Sequence, residues 1–389
     1  MRLKLNLRLK ILFFVLFAFI VFGNSSCANI KDSNPSESSE DESSIAEATK
    51  IDTTSDAKRE GFTSSSRIAK NFEGKSNLRI LDKGMLSLSR ELEGTGIQQV
   101  VVDANGFTFD ALVTGSSDGI PVMLLHGFPS TNYQWRSQMV ALGNAGYYVF
   151  APNQRGYSSL ARPTEIADYA TDFLVEDVEQ LAAALGWSKF HLIGHDWGAF
   201  VAWSYGATHS AKLYSLIPIS VPHPEAFAIA LSDPSGEQAS MSSYMDFFRQ
   251  SDSELAFLAN NAELLKGIYQ DAGLSKTEME PYFEVLGTPE ALSSALNWYR
   301  ANDFAPELLE DAERRSDIAD ISIPTMHVWS SEDSALGRQG AELTSNFVTG
   351  DYRFEVIEGV NHWVTEVASE QLNTILLDFL SQYSPDYGS

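Results

Sequence analysis

Phe190-His191-Leu192-Ile193-Gly194-His195-Asp196-Trp197-Gly198 is the stretch whose reading decides the fold. An apolar run over 190–194 gives way to a helical pattern over 199–207, with a sharp turn between them. Small residues flank the turn because it needs strained dihedrals and close backbone contacts, and such a turn lifts its central side chain, Asp196, into the cleft. In open α/β sheets the ligand crevice lies at the carboxyl ends of the strands, so Asp196 is aimed at substrate. The competing reading makes Asp196 a cap of the following helix, where a carboxylate is favoured by the positive end of the macrodipole.

The rhythm on either side agrees with this turn. Residues 98–103 and 107–113 are β-rich runs joined by Ala104-Asn105-Gly106, a hairpin signal. Then come an apolar run at 121–125, a helical stretch near 134–145, a strand at 147–152, a helix at 172–185 and, past the decisive turn, a strand at 213–220. Strands alternating with helices predict the α/β class, a mostly parallel sheet flanked by helices. After Val221-Pro222-His223-Pro224 the pattern is helical to about residue 318. Strand signals return at 323–329 and 352–357, and a final helix follows at 371–383. The expected organisation is therefore a core over 91–221 and 319–389, interrupted by an inserted helical cap over 222–318.

The first 90 residues read differently. Arg2, Lys4, Arg8 and Lys10 precede an apolar run at 11–22 and then Asn24, Ser25 and Ser26, the layout of an export signal over 1–28. Cys27 is the only cysteine, so the chain forms no internal disulfide. Its position after Ser25 and Ser26 resembles the lipid attachment site of a bacterial lipoprotein. Ordinary cleavage after Ala28 and an uncleaved anchor are the alternatives. Residues 29–90 are expected to form an acidic, Ser-rich, disordered tether, since they offer little to bury. The whole chain has 27 Lys and Arg against 52 Asp and Glu, a formal net charge of -25. That balance repels phosphate backbones and anionic lipid headgroups, so nucleic acid is excluded as a partner and membrane contact is left to the N-terminal signal or lipid.

A nucleophile needs a base, a group to orient the base, and donors for the developing oxyanion. His362, in Glu358-Gly359-Val360-Asn361-His362-Trp363, and Asp333, in Trp329-Ser330-Ser331-Glu332-Asp333, each follow a strand at the same sheet edge as Asp196. The order Asp, Asp, His matches nucleophile, orienter and base. Glu332 is the rival orienter. His126-Gly127-Phe128-Pro129 follows the strand at 121–125, and Gly127 frees the backbone so that the Phe128 amide faces the cleft beside the Trp197 amide. His126 itself reads as structural.

These residues together resemble the epoxide hydrolases of the α/β-hydrolase fold. The resemblance spans about residues 97–385, with His126 to Pro129, Arg155-Gly156-Tyr157, Gly194 to Gly198, Val221 to Phe227, Asp333 and Gly359 to Trp363 in family order. It departs at Asn153, where an Asp often precedes Arg-Gly-Tyr. It further implies that Tyr244, in Ser243-Tyr244-Met245-Asp246-Phe247-Phe248, and Tyr299, in Leu296-Asn297-Trp298-Tyr299-Arg300, are the cap tyrosines that protonate an epoxide oxygen. The alternative for both is an amphipathic residue of the cap core.

The chemistry of the nucleophile points the same way. A carboxylate attacking an ester carbonyl gives an anhydride, so Asp196 suits displacement at saturated carbon, with an alkyl ester as product. Water activated by His362, held by Asp333, then attacks that ester while the Phe128 and Trp197 amides hold the oxyanion. Epoxides and haloalkanes both fit. An epoxide oxygen needs a proton donor, which phenols supply, whereas a halide needs only soft N–H donors such as the Trp197 indole. A haloalkane dehalogenase is thus the alternative enzyme, though such enzymes usually carry Asn where this chain has Phe128. A fluoroacetate-type dehalogenase is expected to carry Arg at the Trp197 position. A surface binding protein on a hydrolase scaffold is the non-enzymatic alternative. Trp197, Phe248 and Trp298 are expected to line the pocket, favouring a small apolar epoxide. Neither a metal cluster nor a phosphate loop is legible, so no cofactor is expected.

Overall fold

A computed structural model describes residues 68–71, 78–81, 92–302 and 320–385. The export signal, Cys27, most of the acidic tether and residues 303–318 of the expected cap lie outside the described residues. Among the described residues, ten strands form one sheet in the order β1-β2-β3-β4-β6-β5-β7-β8-β9-β10. They are Ile68–Asn71, Leu78–Leu81, Gln98–Ala104, Phe107–Thr114, Ile120–Leu125, Tyr147–Pro152, Phe190–His195, Leu213–Ile219, Thr325–Glu332 and Tyr352–Asn361, numbered β1 to β10. Strands β1 to β4, and β4 with β6, pair antiparallel; from β6 through β10 every pair is parallel.

The chain leaves β5 for β6 on one side, then returns past β5 to lay down β7 on the other. Connections that depart in opposite directions from adjacent strands open a crevice at their carboxyl ends. Phe128 follows β5 and Asp196 follows β7, so both stand at that switch point. Strands β6 and β7 are buried along their whole length, as parallel strands covered on both faces must be. Helix α1 (Arg136–Asn144) packs with the C-terminal helix Ser369–Tyr383, and α2 (Thr171–Ala184) packs with α3 (Trp197–His209).

Two boundaries differ from the sequence reading. The expected tether to residue 90 overruns the fold, because β2 pairs Leu78 with Val102 and Ile80 with Val100, and β1 pairs with β2. An isolated four-residue run such as Leu78-Arg79-Ile80-Leu81 carries too little pattern to announce a strand; its partner β3 creates it. Strands β9 and β10 also run further than 329 and 357, ending one residue before Asp333 and His362. Asp333 and His362 are therefore mounted directly on strand ends.

Helices Pro224–Ser232, Gln238–Met241, Tyr244–Phe248, Ser253–Asp271, Lys276–Leu286 and Pro289–Ala301, numbered α4 to α9, occupy the expected cap. The first of them belongs against the core, where a Cβ on Gly340 of helix Arg338–Leu343 would sit 3.6 Å from Ala230. The Arg-Gly-Tyr loop carries the cap: Gly156 has φ +88°, a Cβ there would come 2.9 Å from the Ser294 carbonyl, and the Trp298 indole donates to the Arg155 carbonyl at 2.9 Å.

That loop is fixed from beneath by a buried bidentate pair. Arg155 Nε and Nη2 donate to the two Asp177 oxygens at 2.7 Å each. Asn153 donates to the carboxylate of Asp110 at 2.6 Å and accepts the Asn132 amide at 3.0 Å. Burial raises the Asp110 carboxyl above its ordinary range. Asn at 153 therefore avoids a second carboxylate beside one that is already desolvated.

Removing one partner of a buried ion pair costs about 3–5 kcal/mol because the other is left uncompensated. Asp177→Ala should lower stability by about that much, read as the shift in urea midpoint at constant slope.

Candidate active site

Gly194 and Gly198 allow the turn between β7 and α3. A Cβ on Gly194 would meet the Gly198 carbonyl oxygen at 2.1 Å, and one on Gly198 would meet the Leu125 carbonyl oxygen at 2.1 Å. Between them Asp196 has φ +54° and ψ -124°, a region that costs a non-glycine residue strain and persists where the surroundings enforce it. Its side chain makes no capping bond to α3, so the helix-cap reading does not hold. The carboxylate turns inward to Gly127, where an added Cβ would lie 2.2 Å from Asp196 Oδ1.

That proximity places the amides. The Phe128 amide donates to Asp196 Oδ1 at 2.8 Å, and the Trp197 amide donates to the same carboxylate. Asp196 Oδ2 faces His362 Nε2 at 3.5 Å. On the far side of the imidazole, His362 Nδ1 lies 2.9 Å from Asp333 Oδ2. Asp333 Oδ1 accepts the Ala335 and Leu336 amides at 2.9 and 3.0 Å. Glu332 is exposed and takes no part.

Burial opposes charge on all three groups, and their mutual attraction overrides it. Against burial, the Asp333 and Asp196 carboxylates push His362 up to about 10. Asp196 and Asp333 are each held below the usual carboxylate range, chiefly by His362. The resting site is thus an imidazolium between two carboxylates. His126 is different: burial lowers it to about 4, its Nε2 accepts the Gln154 amide at 3.2 Å, and its Nδ1 lies 3.1 Å from the Gly127 carbonyl. It is a neutral brace for the Gly127-Phe128 loop.

Sequence reading missed Ser220. This buried residue follows β8 with φ +74°. Its hydroxyl donates to Asp333 Oδ2 at 2.7 Å and lies 3.0 Å from His362 Nδ1. A polar residue at the end of a strand on the functional edge was the available signal. His195 was missed as well; its Nε2 donates to the His362 carbonyl at 3.0 Å and holds the main chain there.

The cap closes the site with aromatic rings. Tyr299 stacks edge-on against Trp197 (5.0 Å between centroids), Phe248 (5.0 Å) and Phe128 (5.5 Å), with Tyr244 at 6.4 Å. The Trp197 indole N–H faces the Tyr299 hydroxyl, and the hydroxyls of Tyr244 and Tyr299 are within hydrogen-bonding reach of each other. Burial, then the nearby Asp196 carboxylate, raises both phenols, which stay protonated donors across physiological pH. Trp298 is fully buried and tied to Arg155, so it backs Trp197 at 5.7 Å.

Residues 120–368 match the family model of the alpha/beta hydrolase fold. The chain is 32% identical over 292 residues to an AB hydrolase superfamily protein, YfhM, of Bacillus subtilis, covering 73% of this chain and 98% of that protein. It is 31% identical over 279 residues to epoxide hydrolase 2 of Caenorhabditis elegans, covering 69% and 76% respectively. Among solved structures it resembles an inhibitor complex of a Bacillus megaterium epoxide hydrolase, with TM-score 0.66, 25% identity, and coverage of 72% of this chain and 99% of that one.

Because His362 is held near 10 in the fold against about 6.5 free, the folded state keeps a proton that the unfolded chain releases. Its contribution is complete below pH 6.5 and falls as pH rises toward 10. Urea midpoints should therefore decline between pH 7 and 9, and His362→Gln should flatten that decline.

Proposed function

The chain belongs to the α/β-hydrolase fold family and, within it, to the epoxide hydrolases, and on that footing we propose that it converts an epoxide to a vicinal diol through an alkyl ester on Asp196. The observation that carries this reading is the division of one carboxylate: Oδ1 sits on the Phe128 amide while Oδ2 faces His362. Oδ2 attacks a ring carbon, the carbon–oxygen bond breaks, and the epoxide oxygen takes a proton from the Tyr244–Tyr299 pair, leaving a tyrosinate.

Ester formation then prepares the second step. It removes one of the two charges that hold the His362 proton, and the tyrosinate accepts that proton, so the base becomes neutral only once an ester exists. Neutral His362 takes a proton from water, and the hydroxide attacks the ester carbonyl carbon. The oxyanion forms on Oδ1, against the Phe128 and Trp197 amides. Collapse breaks the carbon–Oδ2 bond, His362 protonates the departing alkoxide, and the new carboxyl returns a proton to His362. Atoms and charges balance as epoxide plus water to diol.

The aromatic wall of Trp197, Phe128 and Phe248, with no cation beyond His362 in the catalytic set, suits a small apolar epoxide. The Trp197 indole is directed at Tyr299, which favours an epoxide over a halide as the group that departs. The basic residues, the apolar run at 11–22 and Cys27 after it, followed by an acidic Ser-rich stretch, support an export signal and a lipid anchor outside the cytoplasm.

Incubation of the purified protein with a styrene-type epoxide and with a haloalkane should yield diol from the first and no halide from the second; halide without diol refutes the substrate assignment. His362→Gln should accumulate an adduct on the peptide that carries Asp196, seen by mass spectrometry, and an adduct elsewhere refutes the mechanism. In a bacterial host, Cys27→Ser should move the protein from the membrane to the soluble fraction. An unchanged distribution rules out the lipid anchor.

A further inference from the structure

We propose that Arg249 and Arg300 form a cross-clamp that positions the Tyr244–Tyr299 pair for ring opening, an inference that rests on the reading of these tyrosines as proton donors. Tyr244 opens α6, a helix of only five residues, far too short to hold its own geometry. Tyr299 lies near the end of α9, thirteen residues long and well buried. The pair can serve one epoxide oxygen only if the short element is registered against the long one.

The two arginines supply that register reciprocally. Arg249, directly after α6, donates from Nε to the Tyr299 carbonyl at 3.1 Å. Arg300, directly after Tyr299, donates from Nη2 to the Gln250 carbonyl at 3.1 Å, to Ser253 Oγ at 3.1 Å and to Glu254 at 2.7 Å. Its Nη1 reaches Asn297 and Ser293 of its own helix at 3.0 Å each. Arg249 thus grips the main chain of Tyr299 itself, while Arg300 grips the turn that follows α6, six residues past Tyr244. The Arg300 and Glu254 side chains are only 10% and 12% exposed, so water does not loosen the pair.

Phe248 completes the device as a spacer, with its ring 5.0 Å from both Tyr244 and Tyr299. Aromatic contacts of this kind set separation but tolerate sliding, whereas a planar guanidinium fixes direction through several bonds at once. The bonds of Arg300 run to cap residues and the Arg249 Nε bond runs to the Tyr299 main chain, which makes them positioning residues for the alkylation step. Ester hydrolysis, which depends on His362 and Asp333, should be indifferent to them.

The test measures the two half-reactions separately, by stopped-flow fluorescence with an aryl epoxide, in wild type, Arg300→Gln, Tyr299→Phe and the double variant of the full chain. Misplacement of a reacting group by an ångström costs up to roughly 100-fold, so Arg300→Gln should slow alkylation by about tenfold or more. Ester hydrolysis should stay within about twofold. In the Tyr299→Phe background, Arg300→Gln should add a smaller loss than in wild type, since only the placement of Tyr244 is left for it to disturb. Equal losses in both backgrounds, or hydrolysis slowed in step with alkylation, would show a merely structural role and overturn the clamp while leaving the epoxide reading intact. Tyr299→Phe with unimpaired alkylation overturns clamp and proton-donor reading together. Should Arg300→Gln fail to fold, Arg249→Gln carries the same expectations.

Discussion

The whole site depends on how closely two loops at the sheet's switch point approach each other. Gly198 lies against the Leu125 carbonyl and Gly127 lies against the Asp196 carboxylate, each at a distance that no Cβ permits. That contact brings the Phe128 amide onto Asp196 Oδ1 and accounts for the strained φ of Asp196. The strain is held by β5 and β7, which are paired side by side and buried over nearly all their length. His126 braces the first loop from its own side, kept neutral by burial.

On this frame the electrostatics are a matter of two carboxylates sharing one imidazolium. Burial disfavours charge on both Asp196 and Asp333, and His362 between them lowers both. Asp333 has further donors in Ser220, Ala335 and Leu336, which make it a fixed charge. In the proposed mechanism, Asp196 is the charge that chemistry consumes. On that proposal, His362 is released as a base by the reaction of the carboxylate that holds its proton.

The cap is attached to this core through polar contacts as well as aromatic packing. Trp298 bonds the Arg155 carbonyl, Tyr269 donates to the Pro129 carbonyl at 2.9 Å beside the Phe128 loop, and Tyr282 bonds Glu366, four residues beyond His362. Cap helices are thus referenced directly to the loops that hold the chemistry. The aromatic faces between them leave an apolar lining above a charged floor.

Much of this was legible along the chain. Gly194-His195-Asp196-Trp197-Gly198 after an apolar run announces strand, turn and helix because glycine at those places has a local steric cause. The strands that carry Asp333 and His362 were legible from their own residue patterns, as was the helical interruption that precedes them. What the sequence by itself determined is therefore the set of elements and the side chains at their ends. Tertiary structure alone decided the rest: that the Asp196 carboxylate turns to the Phe128 amide, that Ser220 joins Asp333 and His362, that Trp298 stands behind Trp197, and that Leu78–Leu81 is a strand. Each of these is settled by a partner 20 or more residues away, and a local pattern of sterics and polarity holds no record of such a partner until the chain has folded.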